Sequence, residues 1–409
     1  MPALRFKDKN GQAFEAPDEL TIQDLFDKVK TTNKDGANKN VITNSAEHGL
    51  IPQREFFDKD IAVEGNTSKY TIIKDGDFVY NPRKSSTAPY GPFNCYTREE
   101  PGIVSPLYSC LTPKNKAYTP YLLYYFASPA WYSYIYHNGN QGGARHDRVG
   151  MTDDLLQGIP VLLPCQEEQD KITAFLSLYD KRIAAQTSKV EALETRRKGL
   201  LQQIFSQEIR FKADDGSEFP DWEEASLESI TEKVERKAPK DSTAPVMMIS
   251  QGKGFIYQSE KYSQDNAGQS LKNYTLLKRN EMAYNHGASK AKPFGVTYSL
   301  LTEGEARVPF VYHTFRMLNG YPDFWNYALN TEYIDRQLKG LVSSSVRSNG
   351  LLNINYDTYM GITVLVPCDE EQKKISEFLM LIDKQVQLEK DKLEAIKQVK
   401  KGLLQQMFV

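Results

Sequence analysis

The sequence has few cysteines and no stretch that could cross a membrane as a helix. Only four of its 409 residues are cysteine, namely Cys95, Cys110, Cys165 and Cys368, and they form no CxxC pair and no cluster with histidine. This spacing argues against a zinc site and a disulfide framework, so we expect four free thiols. No run of about 18 uncharged apolar residues occurs and the first residues lack the apolar core of a signal peptide, so we expect a cytoplasmic protein.

The chain also lacks an excess of positive charge. Its 51 basic residues are balanced by 53 acidic residues, which gives a net charge of −2. A strongly basic domain is the usual electrostatic signature of a nucleic-acid-binding protein, so any contact with DNA must be local. Aromatic residues are plentiful, with 24 Tyr and 19 Phe against 3 Trp. Tyrosine suits recognition surfaces because it offers contact area together with a polar tip.

Motifs for nucleotide hydrolysis and for methyl transfer are missing as well. The sequence contains no GxxxxGKS or GxxxxGKT loop that would cradle phosphates. The segment Asn81-Pro82-Arg83-Lys84 lacks the aromatic residue of an NPPY-type methyltransferase loop. The five histidines are scattered without the spacing of metal ligands. We therefore expect neither a metal nor a cofactor.

The dominant feature of the sequence is an internal repeat. Four segments recur in the same order: Arg5-Phe6-Lys7 as Arg210-Phe211-Lys212, Tyr80-Asn81 as Tyr284-Asn285, VLLPCQEEQDKITAFL from Val161 as VLVPCDEEQKKISEFL from Val364, and KGLLQQIF from Lys198 as KGLLQQMF from Lys401. Between them the copies diverge, as in residues 81–104 and 117–158. A duplicated catalytic site would keep its chemistry in both copies, so two similar frames with dissimilar inserts favour binding over catalysis.

Each copy ends in a segment whose apolar residues recur at alternating steps of four and three. This narrow stripe predicts a long helix with a coiled-coil seam. The seam residues are Ile172, Leu176, Tyr179, Ile183, Val190, Leu193, Leu200 and Ile204 in the first copy, and Ile375, Leu379, Ile382, Val386, Leu393, Ile396, Leu403 and Met407 in the second. The natural partner of one helix is the other, so we predict an antiparallel pair with approximate two-fold symmetry.

Polar residues and glycines interrupt both helices at matching positions. The polar gaps are Gln186 and Arg197 in the first seam and Glu389 and Lys400 in the second. These residues could pair across the seam and fix its register, or they could mark solvated seam ends. Gly199 and Gly402 also coincide, although glycine in a helix costs about 1 kcal/mol relative to alanine. We expect either a close approach of a partner backbone or a bend at these glycines.

A further set of motifs accompanies the repeat. Ile-Pro-Val-Leu-Leu-Pro from Ile159 leads into EEQDKI and a heptad helix that ends in KGLLQQIF, and EEQKKI to KGLLQQMF follows in the second copy. With YTIIKDGDFVYN from Tyr70 and GIVSPLY from Gly102, these segments resemble the repeated regions of type I restriction-modification DNA-specificity (S) subunits. The resemblance implies two target-recognition domains that read the two halves of an asymmetric bipartite site in double-stranded DNA. It also implies helices that act as a ruler, two methyltransferase subunits docked on them, and restriction-translocase subunits.

Together these observations predict an α+β fold with two target-recognition domains in tandem, each followed by a long helix. The segments are residues 1–160, 161–207, 208–363 and 364–409, and we expect no catalytic activity of the chain itself. One alternative is a metal-dependent nuclease, because Asp221, Glu235 and Lys237 fit a PD…ExK pattern. The aligned positions of the first copy do not repeat this pattern. A second alternative is a coiled-coil adaptor that does not bind DNA.

Two loops in each copy carry residue types suited to DNA. Arginine, asparagine and glutamine can read base edges, and arginine, lysine and hydroxyl groups bind phosphates. The candidates are Asn140, Gln141, Arg145 and Arg148 with Arg83 and Lys84 in the first copy, and Ser344, Arg347 and Asn349 with His286, Lys290 and Lys292 in the second. Arg145 and Arg347 occupy equivalent places in the repeat.

Overall fold

The structure is a computed structural model that describes residues 2–56, 67–139, 147–239, 241–261, 273–289, 292–342 and 352–409. The chain divides into two compact units, of which the first comprises Met1–Ser188 with Asp391–Val409 and the second comprises Lys189–Lys390. Both units mix helices and antiparallel strands, as expected for an α+β protein. Within the described ranges, no helix has the length and apolar character needed to span a bilayer.

The first unit begins with short strands and helices and leads into a long helix. Its strands are β1 (Asp18–Thr21), β2 (Phe26–Lys28), β3 (Ile42–Ser45), β4 (Gly49–Pro52), β5 (Thr71–Ile73), β6 (Phe78–Tyr80), β7 (Phe93–Cys95), β8 (Gly102–Val104), β9 (Ser109–Pro113) and β10 (Pro160–Leu163). Its helices are α1 (Ile22–Leu25), α2 (Gln53–Phe56), α3 (Thr119–Ala127), α4 (Tyr132–Asn138), α5 (Asp153–Gln157) and the start of α6 (Gln166–Phe205), and it also includes the end of the second long helix, from Asp391 onward.

The second unit repeats this arrangement. Its strands are β11 (Glu223–Ser226), β12 (Thr231–Lys233), β13 (Met247–Ser250), β14 (Gly254–Tyr257), β15 (Thr275–Lys278), β16 (Met282–Asn285), β17 (Val296–Ser299), β18 (Glu305–Val308), β19 (His313–Met317) and β20 (Thr363–Val366). Its helices are the end of α6, α7 (Gln258–Lys261), α8 (Pro322–Ala328), α9 (Glu332–Leu341), α10 (Tyr356–Met360) and the start of α11 (Asp369–Phe408).

Equivalent strands pair in the same way in both units. A four-stranded sheet has the order β2-β9-β6-β7 in the first unit and β12-β19-β16-β17 in the second. The two-stranded sheets β1-β10, β3-β4 and β5-β8 correspond to β11-β20, β13-β14 and β15-β18. The inserts that diverge in sequence therefore share one topology, which residue-by-residue comparison did not predict.

Aromatic side chains fill the core between each four-stranded sheet and its helices. In the first unit the rings of Phe93 and Phe126 lie 4.1 Å apart, and Trp131 is buried beside them. In the second unit Tyr284 stacks on Tyr359 at 3.9 Å. Burial of such rings is among the largest apolar contributions to stability. Part of the aromatic excess in the sequence therefore belongs to the cores.

A buried ion pair joins the first residues of each copy to the long helix that ends it. In the first unit Arg5 donates from Nε and Nη2 to the carboxylate of Glu168, at 3.0 and 2.5 Å. In the second unit Arg210 contacts Glu371 in the same way, at 2.9 Å from both nitrogens. Glu168 is 1% exposed and Glu371 is fully buried. Each carboxylate depends on its arginine, because an unpaired buried charge costs several kcal/mol.

Neighbouring residues of the same motifs add further contacts. Lys171 donates to the carbonyl oxygen of Lys7 at 2.7 Å, and Lys374 donates to that of Lys212 at 2.7 Å. The ring pairs Phe6–Phe175 and Phe211–Phe378 are separated by 5.6 and 5.5 Å. The Arg-Phe-Lys and Glu-Glu-Gln motifs therefore recur together because they bind each other. We call these contacts the frame clamp.

The ends of the long helices also make equivalent backbone contacts. In the first unit the amide of Leu4 donates to the carbonyl oxygen of Gln406 at 2.9 Å. In the second unit the amide of Ile209 donates to that of Gln203 at 3.1 Å. Each Arg-Phe-Lys motif thus lies next to the end of a KGLLQQ helix. In the second unit the motif continues from that helix in sequence, and in the first unit it is the chain's N-terminal segment that lies beside the C-terminal helix.

The seam residues of both long helices are buried or half-buried. Ion pairs link the two helices beside the seam: in the first unit Lys400 binds Asp180, and in the second unit Arg197 binds Asp383 and Lys189 binds Glu389. The two contacts of the second unit show that its helix segments run antiparallel. The basic gap residues therefore pair with aspartates next to the seam and not with the polar gap residues of the opposite helix.

Each of these aspartates also accepts a hydrogen bond from a tyrosine of the globular part. Tyr124 of α3 donates to Asp180 at 2.6 Å, and Tyr327 of α8 donates to Asp383 at 2.8 Å. Burial raises the pKa of both tyrosine hydroxyls, and the adjacent aspartates raise it further. The hydroxyls are therefore neutral donors over the physiological pH range.

The expected close approach at the helix glycines is wrong. A Cβ atom built on Gly199 or Gly402 would meet no heavy atom within 4 Å of the described residues. No neighbouring backbone therefore requires a glycine at either position.

Replacing Gly199 by alanine should raise the free energy of unfolding by about 1 kcal/mol, because alanine loses less backbone entropy in a helix. Urea denaturation of the purified chain measures this change. Gly216→Ala is the matched control, since Gly216 also has open space around its Cβ position but has a φ of +85°. The control should destabilise the chain. A loss of stability in Gly199→Ala would contradict the interpretation of this position as an unstrained helical site.

Arg210→Ala should destabilise the second unit by about 3–5 kcal/mol, because it leaves the carboxylate of Glu371 buried without its cation. Denaturation followed by tryptophan fluorescence measures this change, because two of the three tryptophans, Trp222 and Trp325, lie in the core of the second unit and Nε1 of Trp222 donates to Glu371 at 2.9 Å. Arg182→Ala, at an exposed position of α6, should change stability by less than about 0.5 kcal/mol. Equal effects of the two substitutions would mean that the frame clamp does not stabilise the unit.

Candidate nucleic-acid interface

One end of the four-stranded sheet collects the candidate DNA loops in each unit. In the first unit β6 ends at Tyr80, which pairs with Phe93 at the start of β7 and with Ser109 at the start of β9. In the second unit Tyr284 pairs with Thr297 of β17 and His313 of β19. The loops that connect these strands therefore emerge side by side. We call this edge the loop end of the sheet.

The two candidate loops of the first unit meet at its loop end. The amide of Val149 donates to the carbonyl oxygen of Pro82, and the amide of Lys84 donates to that of Asp147, both at 2.9 Å. Arg83 and Arg148 face each other in an isolated antiparallel bridge. Candidate residues that are far apart in sequence thus lie on adjoining backbone segments.

The second unit makes the equivalent junction. The amide of Leu352, just after the serine-rich loop, donates to the carbonyl oxygen of His286 at 2.9 Å. Leu352 corresponds to Val149 and His286 corresponds to Pro82 in the repeat. Both units therefore present two loops at one place, although the residues in the loops differ.

Three candidates of the first unit have cationic groups at this surface. Arg83 has a side chain 70% exposed, and its Nε lies 3.9 Å from Asp147 Oδ2, which is 54% exposed on its side chain. Such an exposed pair contributes little energy and leaves the guanidinium available to another anion. Lys84 is exposed. Arg148 is half-buried, and its Nε has no hydrogen-bond partner among the described residues.

Two candidates of the second unit are engaged inside the protein. Lys292 donates to the carbonyl oxygen of Asn330 at 2.9 Å and lies 3.4 Å from Asp335 Oδ2. His286 is only 7% exposed, with Nδ1 3.1 Å from the carbonyl oxygen of Leu352. We therefore expect these side chains to support the loop and not to touch DNA. Sequence could not reveal this, because a polar loop residue gives no local signal of burial.

The remaining candidates lie outside the described residues. They are Asn140, Gln141, Arg145, Lys290, Ser344, Arg347 and Asn349. Their assignment to DNA contacts stays a prediction from the sequence.

A histidine that sequence analysis did not select completes the second unit's loop end. The rings of His286 and His313 lie 5.0 Å apart, and Nε2 of His313 is 2.9 Å from the carbonyl oxygen of Ile354. Burial lowers the pKa of His313, and His286 and Lys233 lower it further, against the opposing effect of the Ile354 contact. The pair holds the segment that follows the serine-rich loop. The first unit has Pro82 and Ser109 at the equivalent places.

The residues of the nuclease alternative have other partners. Asp221 is fully exposed and lies 3.8 Å from Arg210 of the frame clamp. Glu235 pairs with Lys233 at 2.5 Å, and Lys237 forms a backbone bridge with Thr275. Over the described part of the chain, no group of three or more His, Cys, Asp or Glu side chains is placed to hold a metal ion.

Comparison with known proteins gives a likeness over almost the whole chain. No family model matches the sequence. A chain from a structure of the complex assembly and conformational transition of the type I restriction-modification (R-M) system aligns with a TM-score of 0.52 and 13% identity, over 97% of this chain and 99% of that chain. The type I R-M S subunit from M. genitalium aligns with a TM-score of 0.50 and 15% identity, over 100% and 99% of the two chains.

The chain has the fold of type I R-M S subunits. The resemblance predicted from the repeated motifs is therefore confirmed for the fold, and it extends through the divergent inserts. At this level of identity the likeness concerns the arrangement of strands and helices. The function has to be argued from the surfaces that this fold presents.

Lowering the pH should destabilise the second unit through His313. Its pKa is lowered in the folded state, so the unfolded chain takes up a proton first and stability falls as the pH drops below about 6.5. Denaturation of the full chain at pH 5, 6 and 7 measures the slope. His313→Asn should flatten it, whereas His137→Asn, at an exposed position of the first unit, should leave it unchanged. An unchanged slope in His313→Asn would contradict the assignment.

Proposed function

We propose that the chain recognises a specific sequence in double-stranded DNA as the specificity subunit of a type I R-M complex, without catalysing a reaction itself. The observation that carries this proposal is the loop end of the sheet. One topology brings two sequence-distant loops together in both units, and those loops are where the copies diverge. A common scaffold with variable loops at one edge is typical of a recognition module.

We propose that each unit reads one half of an asymmetric bipartite site. The loop end of the first unit has Arg83, Lys84 and Arg148. The second unit has the histidine pair and Lys292 at its loop end, and these are turned inward. These inward contacts leave base reading in the second unit to the other residues of its loops, whose sequence differs from that of the first unit. Different side chains would select different bases, because base edges are distinguished by their donor and acceptor patterns.

The long helices are proposed to pair as an antiparallel coiled coil that separates the two readers. The ion pairs Asp180–Lys400 and Asp383–Arg197 support this pairing within each unit. In this arrangement the readers correspond to residues 1–160 and 208–363, and the ruler helices to residues 161–207 and 364–409. The partners we propose are two methyltransferase subunits and the restriction-translocase subunits.

The test of this function is an exchange of residues 81–158 for the corresponding segment of a related chain. Each hybrid is produced together with its methyltransferase partner, and methylated motifs are mapped by sequencing the host DNA. One half of the motif should change while the other half stays the same, because the second unit is untouched. A change in both halves would contradict independent reading by the two units.

Replacing Arg83 and Lys84 by alanine should weaken DNA binding of the assembled methyltransferase and lower its salt dependence. Each lost phosphate contact removes roughly one unit from the slope of log K against log salt. Titration of a labelled duplex at several salt concentrations measures this slope. Lys116→Ala is the control, because Lys116 follows the opposite end of β9 and is exposed. An unchanged slope in the double variant would remove this surface from the DNA contact.

A further inference from the structure

A tight turn at the loop end of each unit presents an exposed apolar side chain. The turn of residues 105–108 leads into β9 and carries Leu107, which is 56% exposed. The turn of residues 309–312 leads into β19 and carries Phe310, which is 57% exposed. These side chains contribute little to the free energy of folding, because more than half of their surface remains in water.

Both turns are held in place by the tyrosine that closes them. The amide of Tyr108 donates to the carbonyl oxygen of Ser105, and the amide of Tyr312 donates to the carbonyl oxygen of Pro309, both at 3.0 Å. Tyr312 is 8% exposed, and its hydroxyl oxygen accepts from the amide of Ile249 at 3.3 Å. Tyr108 packs against the equivalent cluster of the first unit. The apolar tips are thus mounted on anchored turns and not on free loops.

The tips lie on the same edge as the candidate DNA loops. The turn of the first unit ends directly before Ser109, which pairs with Tyr80, and Arg83 and Lys84 follow Tyr80 by three and four residues. In the second unit the turn ends before His313, which contacts the segment after the serine-rich loop. In the first unit, a duplex held by Arg83 and Lys84 would therefore pass close to the tip. In the second unit the tip lies at the corresponding end of the sheet.

Single exposed apolar residues are common on protein surfaces and need no explanation by themselves. Here the two turns align at a shift of 204, with Val104 and Tyr108 repeated as Val308 and Tyr312, and each turn carries one large apolar side chain of nearly equal exposure at the same place in the fold. Leucine occupies the third position of one turn and phenylalanine the second position of the other. At the tip itself the two units therefore share an apolar side chain and not a particular residue or turn position.

We propose that Leu107 and Phe310 are wedges that insert between stacked base pairs of double-stranded DNA, one in each half-site. This inference rests on the proposed function. Leucine and phenylalanine are among the side chains that proteins insert at base steps, where they unstack the bases and kink the duplex. In the first unit, Arg83 and Lys84 on the same edge would hold the phosphates that flank the opened step. Each unit would then select its half-site partly by how easily one step deforms.

The expected effect is larger on the DNA conformation than on affinity. Burial of the apolar tip favours binding, while opening a base step opposes it, and the two contributions are of similar size. Removing the tip should therefore change the Kd by less than about tenfold. The local unstacking of the bases should disappear.

The experiment uses the full chain assembled with its methyltransferase partner and a duplex that carries the mapped methylation motif. The probe is 2-aminopurine, which fluoresces more strongly when unstacked, placed at each adenine position except the one that is methylated, because methyltransferases extrude that base themselves. The wild-type complex should brighten one step in each half-site. Phe310→Ser should abolish the signal in one half, and Leu107→Ser should abolish it in the other. Phe310→Leu should retain the signal, since leucine preserves an apolar wedge.

Leu318→Ser is the matched control, because Leu318 is 51% exposed and follows the opposite end of β19. It should leave both signals unchanged. If the serine variants bind and methylate normally and both signals persist, the wedge proposal is wrong while the proposed function stands. Replacing thymine by uracil removes the C5-methyl group from the base. If this replacement weakens binding of the wild-type complex and no unstacking signal is seen, the apolar tips contact thymine methyl groups and the wedge proposal is wrong. Failure of the wild-type complex to methylate any specific motif would instead contradict the proposed function.

Discussion

The buried pairs Arg5–Glu168 and Arg210–Glu371 are the constraint on which each unit depends. A carboxylate with almost no exposure is stabilised mainly by the guanidinium that binds both of its oxygens. Glu168 and Glu371 also lie in the first turns of α6 and α11, where the helix dipole favours a negative charge. The first residues of each copy are thereby fixed to the helix that ends it.

This closure leaves the middle of each copy free to vary. Strand β1 pairs with β10 and β11 pairs with β20, so each insert enters and leaves next to the frame clamp. Within the insert, the order of the strands is kept while the loops at one edge differ. A fixed frame and a fixed sheet allow the loop residues to change without loss of the fold, which is what a family of DNA readers would require.

The long helices and the repeat could be predicted because their signals are local or duplicated. The heptad stripes lie within α6 and α11, and their residues are buried or half-buried. The shared strand order of the inserts was not predictable, because pairings such as Tyr80 with Ser109 join residues that are distant in sequence, and the partner is not repeated: the equivalent Tyr284 pairs with His313. The meeting of the candidate loops depends on the same pairings.

One expectation was wrong, and one candidate residue is more buried than its residue type suggested; both have physical causes. The helix glycines suggested a neighbouring backbone, but open space surrounds Gly199 and Gly402. His286 was selected as a polar loop residue, yet the strand order places it against Leu352 and His313. A sequence pattern records the type of a side chain and its period along the chain. It does not record whether a distant segment covers it.

The attachment of each globular part to the helices is polar as well as apolar, and this bears on the proposed ruler. Apolar packing alone tolerates small shifts, whereas a hydrogen-bonded charge network fixes direction. Tyr124 and Lys400 both bind Asp180, and Tyr327 and Arg197 both bind Asp383. Each network therefore ties a helix of the globular part to both long helices within its unit.

The two networks differ in their cation. Arg197 donates to both oxygens of Asp383, and its planar guanidinium sets an angle as well as a distance. Lys400 provides a single charge on Asp180 and lies 5.3 Å from the ring centre of Tyr124, where a cation–π contact adds to the pair. A single ammonium charge restricts the orientation of its partner less than a guanidinium that donates two hydrogen bonds. The angle between the two long helices is therefore restricted more in the second unit than in the first, whereas in the first unit the cation also contacts the globular part through the ring of Tyr124.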